Sequence, residues 1–435
     1  MAKKICVIGT GYVGLLTAVG LSDFGNSVIG ADIDKAKIDS LNGGKSVIFE
    51  PGIEDYLERN LHSGRLRFTT DIAASIRESE VIFIAVGTPS ADDGAADLSF
   101  LYTVIDSICE NIDAYKVIVI KSTVPVGTNR AVDEYIRPRV KVDFDVVSNP
   151  EFLREGKAVY DFFHPDRVVV GYNTQHAKDI MEDVYRSLNR INVPFIWCGW
   201  ESAEIIKYAS NGFLALKISF INQVANLSEE VDADIQVIAK AMGMDSRIGS
   251  KFLHASPGYG GSCFPKDTRA FASIAKKHGA SISLIETVIE VNEAQKVRAF
   301  ERLKRRLGEV KGKTVGMLGL AFKAETDDIR ESSAITIAGR LLEEGAIVQA
   351  HDPKAMDNFA ELLPTVKFMN SAYDATKGCD ALIVMTEWNE YRSLDLARIK
   401  ALMNRPYIFD TRNVVDQQEL DELGFEYDYI GRAGK

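Results

Sequence analysis

A short apolar run, a glycine-rich turn, a helix-like segment and a second apolar run follow one another at the start of the chain. The first run covers residues 4–9, the helix-like segment residues 15–24, and the second run residues 27–31. Buried strands that alternate with helices over such short distances indicate a βαβ unit, in which parallel strands are covered by helices. The chain is therefore expected to have an α/β fold that begins with a doubly wound sheet.

The turn carries three glycines, Gly9, Gly11 and Gly14, and Asp32 follows the second run eighteen positions after the last of them. Gly9 suits a tight turn, Gly11 lets the backbone approach a pyrophosphate, and Gly14 lets the helix pack closely on the strand. Asp32 would accept hydrogen bonds from ribose hydroxyls and repel a 2′-phosphate. The spacing therefore predicts a dinucleotide site for NAD rather than NADP, the alternative being a glycine turn without a ligand.

Polar loops follow the next apolar runs, at residues 81–86, 116–121 and 144–148. Ligands of an open parallel sheet bind beyond the carboxyl ends of its strands, where these loops are expected to gather. Thr88 and Thr123 lie in two of the loops and are candidates for cofactor contacts. The alternative is that their hydroxyls bond the local backbone of a turn or cap.

After residue 200 the pattern becomes mostly helical, beginning with one long helix over residues 201–232. Strand and helix alternate again from residue 313, where an apolar run enters a glycine turn that lacks the full fingerprint. The chain thus predicts two Rossmann-like doubly wound lobes, joined by a central long helix and a mostly helical middle domain. The expected boundaries are 1–200, 201–308 and 309–435, and the last lobe is expected to bind a ligand other than a dinucleotide.

Composition excludes several classes of protein. A net charge of −11 argues against a broad nucleic-acid surface, and no apolar run is long enough to suggest a membrane span. The first residues do not resemble a secretory signal, so a cytoplasmic location is expected. Five cysteines, at positions 6, 109, 198, 263 and 379, show no paired spacing. Disulfides and metal sites are therefore not expected.

Cys263 is the candidate nucleophile. It follows Gly258, Gly260 and Gly261 and precedes Pro265, which suits the first turn of a helix. A thiol at a helix start lies near unpaired N–H groups that favour the thiolate, and Lys266 adds a positive charge. The glycines are expected to let a ligand lie close to the backbone. The alternative is a small buried apolar residue without chemistry.

Two pairs of polar residues have the spacing of one helical turn. Lys207 and Asn211 lie four apart on the long helix, as do Cys263 and Asp267 where the next helix begins. An amine and an amide near a thiolate suggest stabilisation of an oxyanion, and a carboxylate suggests activation of water. Lys and Asn are also common at such intervals on solvated helix surfaces, which is the alternative.

Six motifs in order resemble the nucleotide-sugar dehydrogenase family, which includes UDP-glucose, GDP-mannose and UDP-N-acetylmannosamine dehydrogenases. They are Gly9-x-Gly11-Tyr12-Val13-Gly14, Gly87-Thr88-Pro89, Asn149-Pro150-Glu151-Phe152-Leu153-Arg154-Glu155-Gly156, Lys207-Tyr208-x-x-Asn211, residues 258–267, and Gly319-Leu320-Ala321-Phe322-Lys323. The resemblance spans nearly the whole chain. It implies a four-electron oxidation of a sugar primary alcohol to a carboxylate that consumes two NAD⁺. Residues 252–263 resemble the UDP-glucose branch.

The resemblance also implies roles for individual residues. Cys263 would trap an aldehyde as a thiohemiacetal that is oxidised to a thioester and hydrolysed. The expected catalytic residues are Cys263, Lys207, Asn211, Asp267, Glu151 and Thr123. The expected cofactor contacts are Gly9, Gly11, Tyr12, Val13, Gly14, Asp32, Lys37, Thr88, Thr123, Glu155, Lys266 and Arg330.

The expected substrate contacts are Glu151, Phe152, Leu153, Glu155, Lys207, Asn211, Arg247, Phe252, Leu253, Tyr259, Gly260, Lys323 and Arg412. Lys323 would meet the diphosphate, Arg412 would meet the diphosphate or the sugar, and Arg247 would reach the site of a neighbouring subunit. A homodimer or higher homo-oligomer is therefore expected.

Three other functions compete with oxidation of UDP-glucose. The first is oxidation of UDP-N-acetylmannosamine or GDP-mannose by a sister enzyme. The second is a non-catalytic protein that binds a nucleotide sugar, against which the presence of Cys263 and Lys207 counts. The third is a hydroxyacid dehydrogenase, which needs no cysteine and yields one NADH per substrate.

Overall fold

The computed structural model describes residues 2–91, 94–432 and 434. Its contacts divide the chain into two compact units. The N-terminal unit comprises Met1–Ser210 with Lys276–His278, and the C-terminal unit comprises Asn211–Ala275 with Gly279–Lys435. The three-domain boundaries expected from the sequence stay a prediction.

The N-terminal unit is built on an eight-stranded sheet with the order β3-β2-β1-β4-β5-β6-β7-β8. All neighbouring strands are parallel except β6 and β7, which pair antiparallel where Ser148 faces Gly171. The first six strands have the order of a dinucleotide-binding sheet. The strands are β1 (Lys4–Ile8), β2 (Ser27–Ala31), β3 (Leu66–Thr69), β4 (Val81–Ile84), β5 (Lys116–Ile120), β6 (Phe144–Ser148), β7 (Val168–Gly171) and β8 (Phe195–Cys198).

Helices connect these strands and cover both faces of the sheet. They are α1 (Tyr12–Asp23), α2 (Lys35–Asn42), α3 (Ile53–His62), α4 (Ile72–Glu78), α5 (Ser99–Asn111), α6 (Thr128–Ile136), α7 (Ala158–Phe163), α8 (Gln175–Val184) and α9 (Arg186–Arg190). The long helix α10 (Trp200–Glu230) follows.

Each face of this sheet has its own hydrophobic core. On β1, Ile5 and Val7 belong to one cluster, whereas Cys6 and Ile8 belong to the other. Side chains alternate between the two faces of a strand, so a strand covered on both sides must be apolar throughout. The continuous apolar runs in the sequence have this physical cause.

A second parallel sheet, of six strands, forms the core of the C-terminal unit. Its order is β11-β10-β9-β12-β13-β14, which repeats the order of the first six strands of the N-terminal sheet. The strands are β9 (Thr314–Leu318), β10 (Ile347–His351), β11 (Lys367–Phe368), β12 (Ala381–Val384), β13 (Tyr407–Asp410) and β14 (Glu426–Tyr429). The prediction of two Rossmann-like doubly wound lobes is therefore confirmed.

The remaining helices begin with three that lie between α10 and the second sheet in the chain. These are α11 (Ile235–Gly243), α12 (Phe264–Lys277) and α13 (Ser283–Leu307). The helices that accompany the second sheet are α14 (Ser333–Glu343), α15 (Met356–Leu362), α16 (Ala372–Thr376), α17 (Asn389–Arg392), α18 (Leu396–Leu402) and α19 (Gln417–Leu423). The mostly helical middle region expected from the sequence is present.

Residues 2–91, 94–432 and 434 lack two kinds of feature. None of the helices in these ranges is long and apolar enough to cross a membrane. The same residues contain no group of three or more His, Cys, Asp or Glu side chains arranged to hold a metal ion.

Candidate functional site

The glycine turn between β1 and α1 has a different steric requirement at each glycine. Gly9 has φ of +93°, and a Cβ there would lie 2.8 Å from the carbonyl oxygen of Ala85. A Cβ on Gly14 would lie 1.8 Å from the carbonyl oxygen of Gly9, so no side chain fits. Gly11 differs, because no atom lies within 4 Å of its ideal Cβ position. The open space at Gly11 fits the approach of a pyrophosphate to the backbone.

Asp32 closes this turn at the end of β2. Its Oδ2 accepts hydrogen bonds from the backbone N–H and the hydroxyl of Thr10, at 2.8 and 2.9 Å, and its Oδ1 accepts one from Asp34 N–H. Burial raises the pKa of this carboxyl, but these hydrogen bonds and the charge of Lys37 outweigh burial and lower the pKa below its ordinary value. Asp32 is therefore held as an anion, as hydrogen bonding to ribose hydroxyls requires.

The corresponding turn of the second sheet is filled. Gly319 follows β9 with φ of +95°, as Gly9 follows β1, but Ala321 and Ala324 stand where the first turn has Gly11 and Gly14. Asp352, which follows β10 as Asp32 follows β2, is completely buried. Its Oδ2 accepts hydrogen bonds from the N–H groups of Leu320 and Ala321 and from Trp388.

This carboxylate therefore holds the turn itself rather than a ribose. Its other oxygen accepts hydrogen bonds from Lys354 N–H and Ala355 N–H. Ala321 carries a methyl group where a pyrophosphate would approach, and both oxygens of Asp352 already accept hydrogen bonds from within the chain. Neither is compatible with the dinucleotide contacts made at such turns. The closed turn therefore agrees with the expectation from the sequence that this lobe binds a ligand other than a dinucleotide.

The remaining predicted cofactor residues of the N-terminal unit lie on several loops. Tyr12 and Val13 are the first residues of α1, and the hydroxyl of Tyr12 donates to the carboxylate of Glu50. The hydroxyl of Thr88 donates to the carbonyl oxygen of Thr123 at 2.9 Å. The loops after β4 and β5 therefore meet, because this bond joins residues 35 apart in the chain. The cofactor contact of Thr88 stays a prediction.

Lys207 and Glu151 form a buried ion pair in the N-terminal unit. The ammonium of Lys207 donates to Glu151 Oε1 and to the carbonyl oxygen of Glu151, both at 2.8 Å, and it lies 5.4 Å from the centre of the Phe152 ring. The other oxygen of Glu151 accepts a hydrogen bond from Leu153 N–H at 2.6 Å. The side chains of the pair are only 4% and 7% exposed, so their charges interact with little screening by water.

A second buried lysine, Lys121, stands at the end of β5 near this pair. Burial raises the pKa of Glu151, but the charge and hydrogen bond of Lys207, the Leu153 N–H and the charge of Lys121 lower it below its ordinary value. Burial lowers the pKa of Lys121 to about 8, with the charge of Glu151 opposing that shift. Lys121 also donates to Asn149 Oδ1 at 3.2 Å. Sequence reasoning missed Lys121, although a lysine that ends an apolar strand is a usable signal.

Cys263 immediately precedes α12, and its carbonyl oxygen accepts the hydrogen bond of Asp267 N–H at 2.8 Å. The residue is partly exposed, and its sulfur lies 3.4 Å from the hydroxyl oxygen of Ser262. Pro265 is the second residue of the helix, as its fixed φ predicts. Cys263 therefore occupies the helix start that the sequence indicates.

The other four cysteines have less favourable surroundings. Burial raises the pKa of Cys6 and of Cys379 to about 12, and both side chains lie inside hydrophobic cores. Burial also raises the pKa of Cys109 and Cys198. A thiol with a raised pKa forms little thiolate near neutral pH and is a poor nucleophile.

Asp267 is buried between two hydrogen-bond donors of the C-terminal unit. Its Oδ2 accepts from the side-chain amide of Asn211, and its Oδ1 accepts from the ammonium of Lys266, both at 2.6 Å. Lys266 therefore pairs with Asp267 beside it, and its expected cofactor contact stays a prediction. Asn211 and Lys207 lie one turn apart on α10, as their spacing predicts.

The glycines before Cys263 are required by packing within the C-terminal unit. A Cβ on Gly260 would lie 2.5 Å from the carbonyl oxygen of Glu331, and one on Gly261 would lie 2.8 Å from the ring of Phe322. The N–H of Gly261 donates to the carbonyl oxygen of Arg330. Packing within the chain is thus one reason for these glycines. The expectation that they also let a ligand lie close to the backbone stays a prediction.

Three predicted substrate residues lie on the same segment. Phe252 is partly exposed with φ of +65°, whereas Leu253 is buried. Tyr259 packs in a small core, and its N–H and carbonyl groups both bond the side chain of Asn292. Burial raises the pKa of Tyr259 to about 12. This packing argues against a direct ligand contact by Tyr259.

Two predicted substrate residues, Lys323 and Arg412, both lie next to Phe322 at the carboxyl edge of the second sheet. Arg412 follows β13, and its guanidinium donates to the carbonyl oxygens of Met385 and Phe322, at 2.6 and 3.0 Å. Lys323 follows Phe322, and its ammonium lies 5.5 Å from the centre of that ring. Arg412 is thus held beside the turn that carries Lys323.

Arg247 and Arg330 are the exposed arginines among the predicted site residues. Arg247 pairs with Asp245, and its side chain is 88% exposed. Arg330 pairs with Asp328 and is 65% exposed. Both guanidinium groups are exposed to water, as is usual for surface arginines. The ion pairs with Asp245 and Asp328 do not account for the expected contacts of Arg247 with a neighbouring substrate site and of Arg330 with the cofactor.

Three models of the UDP-glucose/GDP-mannose dehydrogenase family match the chain in succession. The model of the NAD binding domain matches residues 3–189, that of the central domain residues 201–294, and that of the UDP binding domain residues 316–417. The NAD model covers the glycine turn described above, and the UDP model covers the filled turn of the second sheet.

Relatives are similar over almost the full length. The UDP-glucose 6-dehydrogenase of Rhizobium meliloti (strain 1021) is 46% identical over 99% of this chain and 99% of its own. The UDP-glucose 6-dehydrogenase TuaD of Bacillus subtilis (strain 168) is 46% identical over 99% of this chain and 93% of its own.

Solved structures show the same architecture. The UDP-glucose dehydrogenase of the archaeon Pyrobaculum islandicum has a TM-score of 0.92 at 37% identity, covering 100% of this chain and 98% of its own. The UDP-D-ManNAc dehydrogenase of Pyrococcus horikoshii has a TM-score of 0.87 at 27% identity, covering 98% of this chain and 99% of its own.

Proposed function

The chain belongs to the UDP-glucose/GDP-mannose dehydrogenase family, and from this premise we propose that it oxidises UDP-glucose to UDP-glucuronate. NAD is its cofactor, since the NAD binding model covers seven of the eight strands of the first sheet. The observation that carries the substrate assignment is the 46% identity, over 99% of the chain, to proteins named UDP-glucose 6-dehydrogenase. The UDP-D-ManNAc dehydrogenase, by contrast, is 27% identical.

The first sheet fits NAD at particular residues. Gly11 leaves room for the pyrophosphate, and the anionic carboxylate of Asp32 accepts hydrogen bonds from the ribose. We assign further contacts to Gly9, Tyr12, Val13, Gly14, Lys37, Thr88, Thr123 and Glu155. When bound, NAD⁺ supplies a two-electron acceptor for hydride, once for each of the two oxidations.

Cys263 has the central covalent role in this proposal. After the alcohol has lost a hydride and a proton, the thiolate adds to the aldehyde carbon and the carbonyl oxygen takes up a proton, giving a thiohemiacetal. Loss of a second hydride and a proton gives a thioester. Water then adds to the carbonyl carbon, the C–S bond breaks, and the acid leaves with the thiolate restored. The covalent bond keeps the aldehyde from escaping between the two oxidations.

The buried polar groups supply charge stabilisation and proton transfer in this scheme. Lys207 and Asn211 donate hydrogen bonds to the oxyanion of each tetrahedral species. Asp267 accepts a proton from the attacking water. Glu151 is kept ionised by its pairing with Lys207. In this scheme Glu151 and Thr123 together transfer protons through a water molecule.

The remaining predicted contacts complete the proposed substrate site. Lys323 and Arg412 bind the diphosphate, for which the guanidinium held at the carboxyl edge of the second sheet supplies the charge. We assign the uridine and sugar to Phe152, Leu153, Phe252, Leu253 and Gly260. Lys266 and Arg330 stay proposed cofactor contacts. Tyr259 has the weakest support, because its ring and its backbone are already bound within the chain.

We propose a homodimer that forms through α10. Phe213, Phe220 and Leu227 recur at intervals of seven residues on this helix and are 61%, 49% and 61% exposed. A seven-residue repeat keeps apolar side chains on one helix face, and such an exposed stripe marks a contact with another helix. Arg247, extended into solvent, is proposed to reach the substrate of the second copy.

The decisive experiment is the amount of NADH formed per UDP-glucose. We expect about two, because a trapped aldehyde passes through both oxidations before release. Cys263→Ser should stop steady-state formation of the acid, whereas Cys198→Ser, the matched control, should leave it unchanged. No NADH from UDP-glucose, together with turnover of UDP-N-acetylmannosamine, would move the assignment to the sister enzyme. Unchanged acid formation by the Cys263 variant would refute the covalent mechanism.

A further inference from the structure

The carboxylate of Glu50 joins two segments that are far apart in the chain. It lies in the loop before α3 and is 5% exposed. Its Oε2 accepts hydrogen bonds from the hydroxyl of Tyr12 and from Gly156 N–H, the latter at 2.7 Å. Its Oε1 accepts from Ala158 N–H at 2.7 Å and from Val159 N–H at 3.5 Å. One buried side chain therefore receives four donors.

All four groups in this arrangement are donors, and this fact determines the chemistry of the acceptor. A carboxylate accepts at both oxygens, whereas an amide or a protonated carboxyl presents at least one hydrogen. Burial and the negative charge of Glu50 raise the pKa of Tyr12, so the phenol keeps its proton and remains a donor. Only ionised Glu50 satisfies the whole set.

The two segments that Glu50 joins are both assigned to the cofactor above. Tyr12 is the first residue of α1 and follows Gly11, where the pyrophosphate is expected. Gly156 follows Glu155, and the chain enters α7 two residues later. Tyr12 and Gly156 are held by the same carboxylate oxygen, and so these two parts of the cofactor site are fixed relative to each other.

We propose that Glu50 is a positioning residue for the dinucleotide, which prearranges Tyr12 and the Glu155–Gly156 turn before NAD binds. The inference rests on the cofactor contacts assigned above. A segment that is ordered before binding loses less conformational entropy when the ligand arrives, and the affinity rises accordingly. Glu50 itself does not touch the reacting atoms in this role.

The test is the affinity of the full chain for NADH, measured by fluorescence titration without any sugar. Glu50→Gln places an amide N–H₂ against a donor, and we expect NADH to bind about tenfold more weakly, the loss typical of a disrupted hydrogen bond to a charged group. Tyr12→Phe removes one donor and should weaken binding less. Glu58→Gln removes an exposed charge on α3 and is the matched control, with affinity expected within about twofold of the unaltered chain.

The double variant separates positioning from independent stabilising effects. If Glu50 acts through Tyr12, the loss in Glu50→Gln/Tyr12→Phe is smaller than the sum of the two single losses on a free-energy scale. A merely structural role would lower the melting temperature of Glu50→Gln and leave the NADH affinity unchanged, which would overturn the proposal. Fully additive losses would overturn it as well.

Two further outcomes are distinguishable from these. Where Glu50→Gln does not fold, Tyr12→Phe alone decides, and an unchanged NADH affinity in that variant counts against the proposal. Because the titration contains no sugar, failure of the chain to oxidise UDP-glucose leaves the result on Glu50 valid. NADH stoichiometry and NADH affinity therefore test the proposed function and this inference separately.

Discussion

Glu151 shows how the protein keeps a charge in an apolar environment. A buried carboxylate without a partner takes up a proton, because the charged form loses its hydration. Here Lys207 donates to the carboxylate and Lys121 adds a second positive charge, so the pKa lies below its ordinary value. The consequence for stability has a definite sign. The contribution of Glu151 is present above its unfolded pKa of about 4.3 and is lost as pH falls through the folded pKa.

Lys207→Met should reverse this pH dependence. Burial of Glu151 then outweighs the remaining Lys121, so the folded pKa rises above the unfolded one and stability should increase as pH falls from 7 towards 5. At pH 7 we expect a loss of about 3 kcal/mol in the free energy of unfolding, as when one partner of a buried pair is removed. Denaturant unfolding at several pH values measures both effects.

Glu151→Gln/Lys207→Met is the control for this prediction, since it leaves no buried carboxylate without its partner. We expect the double variant to be more stable at pH 7 than Lys207→Met and to lack the reversed pH dependence. Equal stability of the two variants would contradict the assigned charge state of Glu151.

At the scale of elements, the turns after β1 and β9 follow one geometry with different occupants. Gly9 and Gly319 both adopt positive φ immediately after the first strand of a sheet. The first turn leaves Gly11 open, whereas the second is filled by Ala321 and bound by the buried Asp352. The same supersecondary unit is thus kept open for a dinucleotide in one sheet and closed in the other.

Two single-methyl substitutions should separate folding from binding at the first turn. Gly14→Ala places its Cβ against the Gly9 carbonyl and should lower the free energy of unfolding by about 3 kcal/mol, the upper end for overpacked sites. Gly11→Ala meets no atom and should cost less than about 1 kcal/mol, the usual penalty for alanine at an N-cap.

The NADH affinity should respond differently to the second substitution. The methyl group of Gly11→Ala occupies the space assigned to the pyrophosphate, and we expect NADH to bind at least about tenfold more weakly. Thermal melting and NADH titration of the same samples give both quantities. Tight NADH binding by Gly11→Ala would show that the pyrophosphate lies elsewhere.

At the scale of the whole molecule, the unexplained features are apolar and basic groups on the surface of the C-terminal unit. Phe213, Phe220 and Leu227 expose rings and methyl groups along α10, and Arg247 extends into solvent, where it pairs with Asp245. Within one chain these residues gain little from their positions. A second copy would bury the apolar stripe and give Arg247 a ligand, as we propose above.

Mixing two inactive variants tests whether subunits share a site. Arg247→Ala keeps its own Cys263, and Cys263→Ser keeps its own Arg247, so one site in each mixed dimer is complete if Arg247 acts on the neighbouring subunit. Random pairing should restore about a quarter of the wild-type activity, because half the dimers are mixed and each has one complete site of two. UDP-glucose turnover after refolding or co-expression of the two variants measures it.

Adding Phe220→Glu to both variants provides the control for this prediction. A charge on the apolar stripe should dissociate the dimer, which light scattering detects, and should abolish the recovery. Recovery without dimers, or dimers of the mixed variants without recovery, would contradict the proposal that Arg247 completes a neighbouring site.

The sequence by itself determined the two parallel sheets and the cofactor turn. Central strands such as β1 and β2 are covered on both faces, so they are almost continuous apolar runs, and their predicted bounds agree with the structure within a residue. The glycine spacing is equally local, because sterics within one turn demand it. Edge strands such as β3 and β11 were not predicted, since short, partly exposed strands carry a weak pattern.

Only the tertiary structure decided which charged and polar groups meet. Lys266 pairs with Asp267 beside it, the glycines before Cys263 make room for Phe322, and Glu50 binds groups 38 to 109 residues distant in the chain. The spacing of apolar residues along the sequence indicates whether a residue is buried or exposed. Its hydrogen-bond partner depends instead on how distant segments pack against each other. The kind of chemistry could therefore be predicted from the sequence, whereas the partners that hold each reactive group in place could not.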